Sequence, residues 1–104
     1  MPAFVRVAAV SEVAPGKVIQ VNANGKALAL CNVAGTFYAL DNVCAHRGGP
    51  LGEGYMEGDQ VECPWHGWHF DVKTGCMPMN PGTRVPTYEV KVEGPDVMVA
   101  VSRE

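Results

Sequence analysis

Two short segments of the chain combine cysteine and histidine at the spacing of metal ligands. One residue separates Cys44 from His46, two separate Cys63 from His66, and sixteen residues lie between the two pairs. Ligands this close in sequence can bind metal from a single tight turn, and the intervening segment can close a loop between the turns. Glycine and proline follow the first pair and flank the histidine of the second, as suits loops whose backbone approaches a metal. The sequence predicts one centre with two thiolate and two imidazole ligands.

The types of ligand narrow the choice of metal. Thiolates and imidazoles suit zinc, copper or an iron–sulfur cluster and disfavour calcium and magnesium. A zinc finger usually keeps its two cysteines together and its two histidines together, whereas each pair here is mixed. Mixed pairs suit a two-iron cluster in which the cysteines bind one iron and the histidines bind the other. Zinc remains the main alternative on these residues alone.

At both motifs, CAHRG and CPWHGW, the chain resembles the Rieske proteins. The resemblance continues into the residues before the first motif and after the second. It implies one [2Fe-2S] cluster per chain. Cys44 and Cys63 would bind one iron of that cluster. His46 and His66 would bind the other.

The chain departs from one branch of that family. The quinol-oxidising branch carries two further cysteines that link its ligand loops, where this chain has Gly49 and Trp65. That branch also places serine and tyrosine hydroxyl groups near the cluster, where this chain has Trp68 and Phe70. Hydrogen bonds to the cluster sulfurs are a main determinant of its reduction potential. The resemblance is therefore to the ferredoxin and oxygenase branch, with a potential expected near the low end of the Rieske range, about −150 mV.

The histidine count separates an electron carrier from an oxygenase. An oxygenase also needs a mononuclear iron, typically bound by two histidines and a carboxylate, and only His69 remains beyond the two cluster histidines. A chain of 104 residues fills one domain. The resemblance implies a ferredoxin, not itself an enzyme, that passes electrons from a flavin reductase to a terminal aromatic-ring-hydroxylating oxygenase. Two alternatives remain: the small subunit of a complex resembling nitrite reductase, and a zinc-stabilised interaction module.

Composition indicates a compact domain without a nucleic-acid surface. The chain is 47% hydrophobic and carries a net charge of −3, whereas nucleic-acid binding requires basic patches. No apolar stretch is long enough for a membrane span, and the N-terminal residues do not resemble a signal peptide. We therefore expect a cytoplasmic monomer. In a reducing compartment Cys31 and Cys76 should be free thiols.

Alternation of apolar and polar residues predicts strands along most of the chain. We therefore expect an all-β fold, and the resemblance implies a Rieske-like antiparallel β sandwich with a small cluster-binding subdomain of two ligand loops. Residues 1–104 should form one domain, with a base at about 1–40 and 73–104 and the subdomain at about 41–72. The strand at 26–30 has no polar face and should be buried on both sides. Strands are predicted at residues 5–10, 18–21, 26–30, 37–40, 55–56, 60–62, 88–93 and 97–101. The last two should form a C-terminal hairpin across residues 94–96, and residues 58–59 should turn a short hairpin between the motifs.

Other residues between and after the motifs have two interpretations each. His69 is expected to be a solvated or hydrogen-bonded loop histidine, the alternative being a residue that tunes the cluster. Trp65 and Trp68 could shield the cluster or contact a partner, and residues 78–81 could cover the cluster as a third loop. The acidic residues between the motifs are expected to form a solvated face, the alternative being attraction of a basic partner. These acidic residues are Glu53, Glu57, Asp59 and Glu62.

Overall fold

The chain folds into antiparallel β-strands. The computed structural model describes residues 3–23, 25–42, 50–64, 68–77 and 80–101. Within these ranges there is no α-helix, and short 3-10 turns occur at Val10–Glu12 and Leu51–Glu53. The strands are Ala3–Ala9 (β1), Val18–Ala23 (β2), Lys26–Val33 (β3), Thr36–Asp41 (β4), Tyr55–Glu57 (β5), Gln60–Glu62 (β6), His69–Asp71 (β7), Cys76–Met77 (β8), Asn80–Arg84 (β9), Thr87–Tyr88 (β10), Val90–Glu93 (β11) and Asp96–Val101 (β12).

The strands form sheets in the orders β1-β12-β11, β10-β4-β3-β2, β5-β6-β7 and β8-β9. The first sheet joins the two ends of the described chain, because β1 pairs with β12 along its length. The predicted C-terminal hairpin is confirmed, with Gly94 at a φ of 59° in the turn between β11 and β12. The all-β antiparallel fold is confirmed as well. Among the described residues, no helix is long and apolar enough to cross a membrane.

Strand β3 separates two hydrophobic cores, as its lack of a polar face predicted. Leu28 and Leu30 contribute to the first core, which also contains residues from β1, β2, β4 and β12. Ala29 and Cys31 point to the opposite side and contribute to the second core. All four side chains have no exposed surface. Because successive side chains of a strand point to opposite faces, the part of β3 that is covered on both faces is apolar over residues 27–31, and the buried Asn32 that follows uses its side chain in hydrogen bonds to Val13 and Gly35.

The strand predicted at residues 88–93 is divided between two sheets. Tyr88 in β10 pairs with Ala39 of β4, whereas Val90 in β11 pairs with Val99 of β12. The exposed Glu89 lies between them, outside both strands. A continuous strand with period-2 alternation and a strand that changes sheets have the same sequence pattern, so the alternation did not reveal this break.

The segment between the two ligand motifs forms the predicted hairpin. Strands β5 and β6 pair antiparallel, and Gly58 in their turn has a φ of 63°. Strand β7, which the sequence did not predict, adds to the free side of β6. Across this sheet, Met56, Val61 and Phe70 lie side by side and face the second core. The small sheet therefore joins the ligand segments to the interior of the protein.

Candidate metal centre

Cys63 is the one predicted ligand that lies within the described residues. It follows β6 directly, and its side chain is 1% exposed. It belongs to the second core together with Leu51, Val61 and Phe70. Its thiol is thus enclosed by apolar side chains at the point where the sheet ends and the ligand loop begins. Cys44, His46 and His66 lie outside the described residues, and so does Trp65.

The second ligand loop is closed at its base by a backbone hydrogen bond. The Cys63 N–H donates to the Trp68 carbonyl oxygen at 2.7 Å. Below this bond, Glu62 pairs with His69 and Val61 with Phe70 in the antiparallel ladder between β6 and β7. Trp68 is half-buried and packs against the second core. This bond ties the residues on either side of the segment 64–67, and His66 falls within that segment in the sequence.

The first ligand loop is closed in a similar way. The Leu51 N–H donates to the Asn42 carbonyl oxygen at 2.8 Å. The Asn42 side chain continues the closure, since its Oδ1 accepts a hydrogen bond from the Gly52 N–H at 2.7 Å. Asn42 is only 6% exposed. Cys44 and His46 fall in the segment that these two bonds close.

Glycine permits the close packing around the ends of both loops. A Cβ on Gly52 would lie 2.7 Å from both Asn42 Oδ1 and the Cα of Gln20. A Cβ on Gly54 would collide with the carbonyl oxygen of Glu62. Sequence reasoning treated Gly52 only as a turn former and gave Asn42 no structural role. The signal that could have identified Asn42 is the tendency of asparagine side chains to bond nearby backbone groups.

The two remaining described cysteines are free thiols, as predicted. Cys31 lies within β3, and burial raises its pKa to about 12. Cys76 is half-buried at the start of β8, where its N–H donates to Thr74 Oγ1 at 3.2 Å. Neither thiol lies in a loop that also carries a histidine. The candidate ligand set therefore contains neither of them.

His69 does not occupy a loop, contrary to the expectation from the sequence. It is the first residue of β7, is half-buried, and lies beside the carboxylates of Glu57 and Glu62. The segment expected to be a third covering loop is partly strand, because β9 begins at Asn80. Pro78 and Met79 of that segment lie outside the described residues.

The residues of the centre fit an iron–sulfur cluster. The four donors are two thiolates and two imidazoles, which is the donor set of a [2Fe-2S] cluster with mixed ligands. The burial of Cys63 among apolar side chains is the environment in which a cluster is shielded from water. In the sequence, all four candidate donors fall within or at the end of the two segments that these backbone hydrogen bonds close.

Comparison with known proteins agrees with this chemistry. The family model for the Rieske [2Fe-2S] domain matches residues 3–89. The ferredoxin component of the naphthalene 1,2-dioxygenase system of Pseudomonas putida is 40% identical over 102 residues, covering 95% of this chain and 96% of that protein.

Solved structures share the fold. The complex of reduced oxygenase and oxidized ferredoxin in carbazole 1,9a-dioxygenase matches with a TM-score of 0.84 and 38% identity, covering 93% of this chain and 92% of that one. A putative NADH-dependent nitrite reductase small subunit from Mycobacterium tuberculosis matches with a TM-score of 0.90, covering 100% of this chain and 99% of that one. Its identity is 21%, so this second likeness concerns the fold alone.

Proposed function

The chain belongs to the Rieske [2Fe-2S] domain family, and from this premise we propose that it is the ferredoxin of a ring-hydroxylating oxygenase system. It carries single electrons from a flavoprotein reductase to a terminal oxygenase and is not itself a catalyst. The observation that carries the proposal is the similarity to a dioxygenase ferredoxin component along nearly the whole of both chains. A matching ferredoxin whose structure includes its oxygenase supports the same partner class.

Cys44 and Cys63 are proposed to bind one iron, and His46 and His66 the other, with one cluster per chain. When bound, the cluster supplies a one-electron redox centre. The protein's own contribution is to hold the ligands and exclude water. Cys63 is buried in the second core, while Asn42 closes the segment that carries Cys44 and His46.

The proposed division of the chain follows the ligand loops. Residues 41–72 would form the cluster-binding subdomain, and residues 1–40 and 73–104 would form the base. The pairing of β5, β6 and β7 with one another supports this division. Within the subdomain, the side of the sheet formed by Met56, Val61 and Phe70 would rest on the base through the second core.

We also propose that the protein is a cytoplasmic monomer that meets its partners in transient complexes. Electron shuttling between a reductase and an oxygenase requires release from the first partner before the second can bind. The net charge of −3 suits partners with a basic docking surface. A permanently bound subunit, as in a nitrite reductase complex, would instead co-purify with its partner.

A potentiometric titration followed by electron paramagnetic resonance tests this function. The expected result is a mixed-ligand [2Fe-2S] signal with a midpoint at about −150 mV, well above the −400 mV that is typical of plant-type ferredoxins. A colourless protein that contains stoichiometric zinc would contradict it and favour the interaction module.

Substitution of cysteine tests the proposed ligands with a matched control. Cys44→Ser and Cys63→Ser should each abolish the visible absorption of the cluster, because each removes a thiolate ligand. Cys76→Ser makes the same chemical change at a half-buried cysteine outside the ligand set, and its spectrum should be unchanged. An unaltered spectrum in either ligand variant would refute the ligand assignment while leaving the family membership intact.

A further inference from the structure

The outer face of the small sheet brings together three side chains that can bind a metal. Glu62 on β6 and His69 on β7 are direct cross-strand partners. On the other side of β6, Glu62 pairs with Tyr55 of β5, and Glu57 lies two residues further along β5. Side chains on one face of a sheet alternate along each strand, so Glu57, Glu62 and His69 share the face opposite to the core.

The three side chains converge on one point. Nε2 of His69 lies 3.2 Å from Glu62 Oε1 and 3.6 Å from Glu57 Oε1. One ligand atom from each of the three residues lies within 4.8 Å of the other two. The side chains of His69 and Glu62 are each 33% exposed, and the side chain of Glu57 is 75% exposed. This group of three side chains is therefore reachable from solvent through Glu57.

His69 Nε2 has no accessible surface and no hydrogen-bond partner in the part of the chain that the structure describes. Glu62 Oε1 is near enough to accept a hydrogen bond, but it does not lie in line with the nitrogen. Glu57 Oε1 is beyond hydrogen-bond distance. An ion pair between a protonated imidazole and a carboxylate would align the N–H with an oxygen. A buried polar atom left without such a partner calls for another ligand, such as an ion.

We propose that Glu57, Glu62 and His69 form a binding site for a divalent transition metal such as Zn²⁺, with water completing the coordination. Zinc binds histidine nitrogen and carboxylate oxygen at about 2.0–2.2 Å, which places tetrahedral ligand atoms about 3.4 Å apart. The separations of 3.2 Å and 3.6 Å from Nε2 lie on either side of this value. One imidazole with two carboxylates suits zinc better than calcium, which prefers six or more oxygen ligands.

This cation site lies beside the second ligand loop but is distinct from the cluster ligands. Glu62 is the last residue of β6, and His69 is the first residue of β7. The hydrogen bond from Cys63 to Trp68 closes the loop immediately beyond them. A cation bound to both side chains would hold the two strands together at the base of the loop. The site requires only the sheet, so it does not depend on the proposed electron transfer.

Calorimetric titration of the cluster-loaded protein with ZnCl₂ tests the site, with the visible absorption of the cluster recorded throughout. One Zn²⁺ per chain should bind without loss of absorption, and Ca²⁺ should not compete. Glu57→Gln and His69→Gln should each weaken binding at least tenfold, because each removes one ligand. Glu89→Gln removes the same charge from an exposed position outside this sheet, and it should bind zinc as the unaltered protein does.

Three results would overturn the proposal: no binding at millimolar zinc, zinc affinity in Glu57→Gln and His69→Gln equal to that of the unaltered protein, or binding only as the cluster absorption disappears. The last would mean that zinc enters at the cysteine ligands. Glu57→Gln keeps the test decisive even if His69→Gln disturbs the sheet, since the Glu57 side chain is mostly exposed. An absence of cluster in the purified protein would contradict the proposed function, but zinc binding that depends on Glu57 would still establish this site.

Discussion

Replacement of Asn42 by alanine should loosen the first ligand loop. The Asn42 side chain is almost fully buried, and its Oδ1 accepts a hydrogen bond from the Gly52 N–H at 2.7 Å. Alanine removes this acceptor and leaves the buried Gly52 N–H without it. The backbone bond from Leu51 to the Asn42 carbonyl remains possible, so the loop should be weakened but not lost.

The expected loss of folding stability follows from the burial of the Gly52 N–H, which loses its acceptor. A buried donor or acceptor left unsatisfied costs about 1–3 kcal/mol. For a domain of this size, each kcal/mol corresponds to about 5 °C in melting temperature. Asn42→Ala should therefore lower the melting temperature by about 5–15 °C. Because the affected bond closes the segment that carries Cys44 and His46, loss of the cluster should also be faster.

Two measurements on the cluster-loaded protein test this prediction. Circular dichroism at increasing temperature reports the melting temperature of the fold, and the decay of visible absorption reports cluster loss. Asn22→Ala is the matched control, since it removes the same side chain from an exposed position on β2 and should change stability by less than about 0.5 kcal/mol. If Asn42→Ala matched Asn22→Ala in both measurements, the proposed role of Asn42 would be wrong.

Three further substitutions or labelling experiments address the core and the potential. Phe70→Tyr places a hydroxyl beside the core that contains Cys63. If this hydroxyl donates a hydrogen bond that is about 1 kcal/mol stronger to the reduced centre than to the oxidised one, the midpoint potential should rise by about 40 mV. An unchanged potential would contradict the argument that the missing hydroxyl donors keep the potential low. A thiol reagent at pH 8 should label Cys76 and spare Cys31, whose pKa of about 12 leaves about one molecule in ten thousand as thiolate. Leu30→Ala should cost about 2–5 kcal/mol in guanidinium unfolding, because Leu30 is fully buried in the first core.

The sequence predicted those features that depend on local patterns. The turn at Gly58 and the hairpin after Gly94 follow from residues that tolerate a positive φ. The burial of β3 on both faces follows from its apolar composition over residues 27–31. The four candidate ligands were identified by type and spacing, and of these the structure describes Cys63, which it places in the core.

Features that depend on distant contacts could not be predicted in this way. The pairing of β1 with β12 joins residues from opposite ends of the chain, and no local pattern specifies it. The break at Glu89 depends on which neighbour each half of the segment finds, β4 or β12. The position of His69 in a strand depends on β6, because three residues alone are too short to show alternation. Its approach to Glu57 and Glu62 is therefore visible only in the folded protein.

The contrast between Cys31 and Cys63 shows what makes a cysteine in this fold a candidate ligand. Both side chains lie in the second core, and both are almost completely buried. Cys31 is in the middle of the central strand β3, paired with Val18 on one side and Tyr38 on the other, so its backbone has no freedom to approach a metal. Burial there raises the pKa of its thiol to about 12 and leaves it inert.

Cys63 instead lies where the ladder between β6 and β7 ends and the chain turns away through the bond to Trp68. Burial shields its sulfur from water, and His66 follows three residues later in the sequence. The same reasoning applies to the first loop, where β4 ends at Asp41 and Asn42 begins the closure. Under the proposed ligand assignment, a position at the end of paired strands, rather than burial alone, distinguishes the cysteines that serve as ligands. The substitution Ala29→Cys should accordingly give an unreactive thiol, even though Ala29 shares the second core with Cys63.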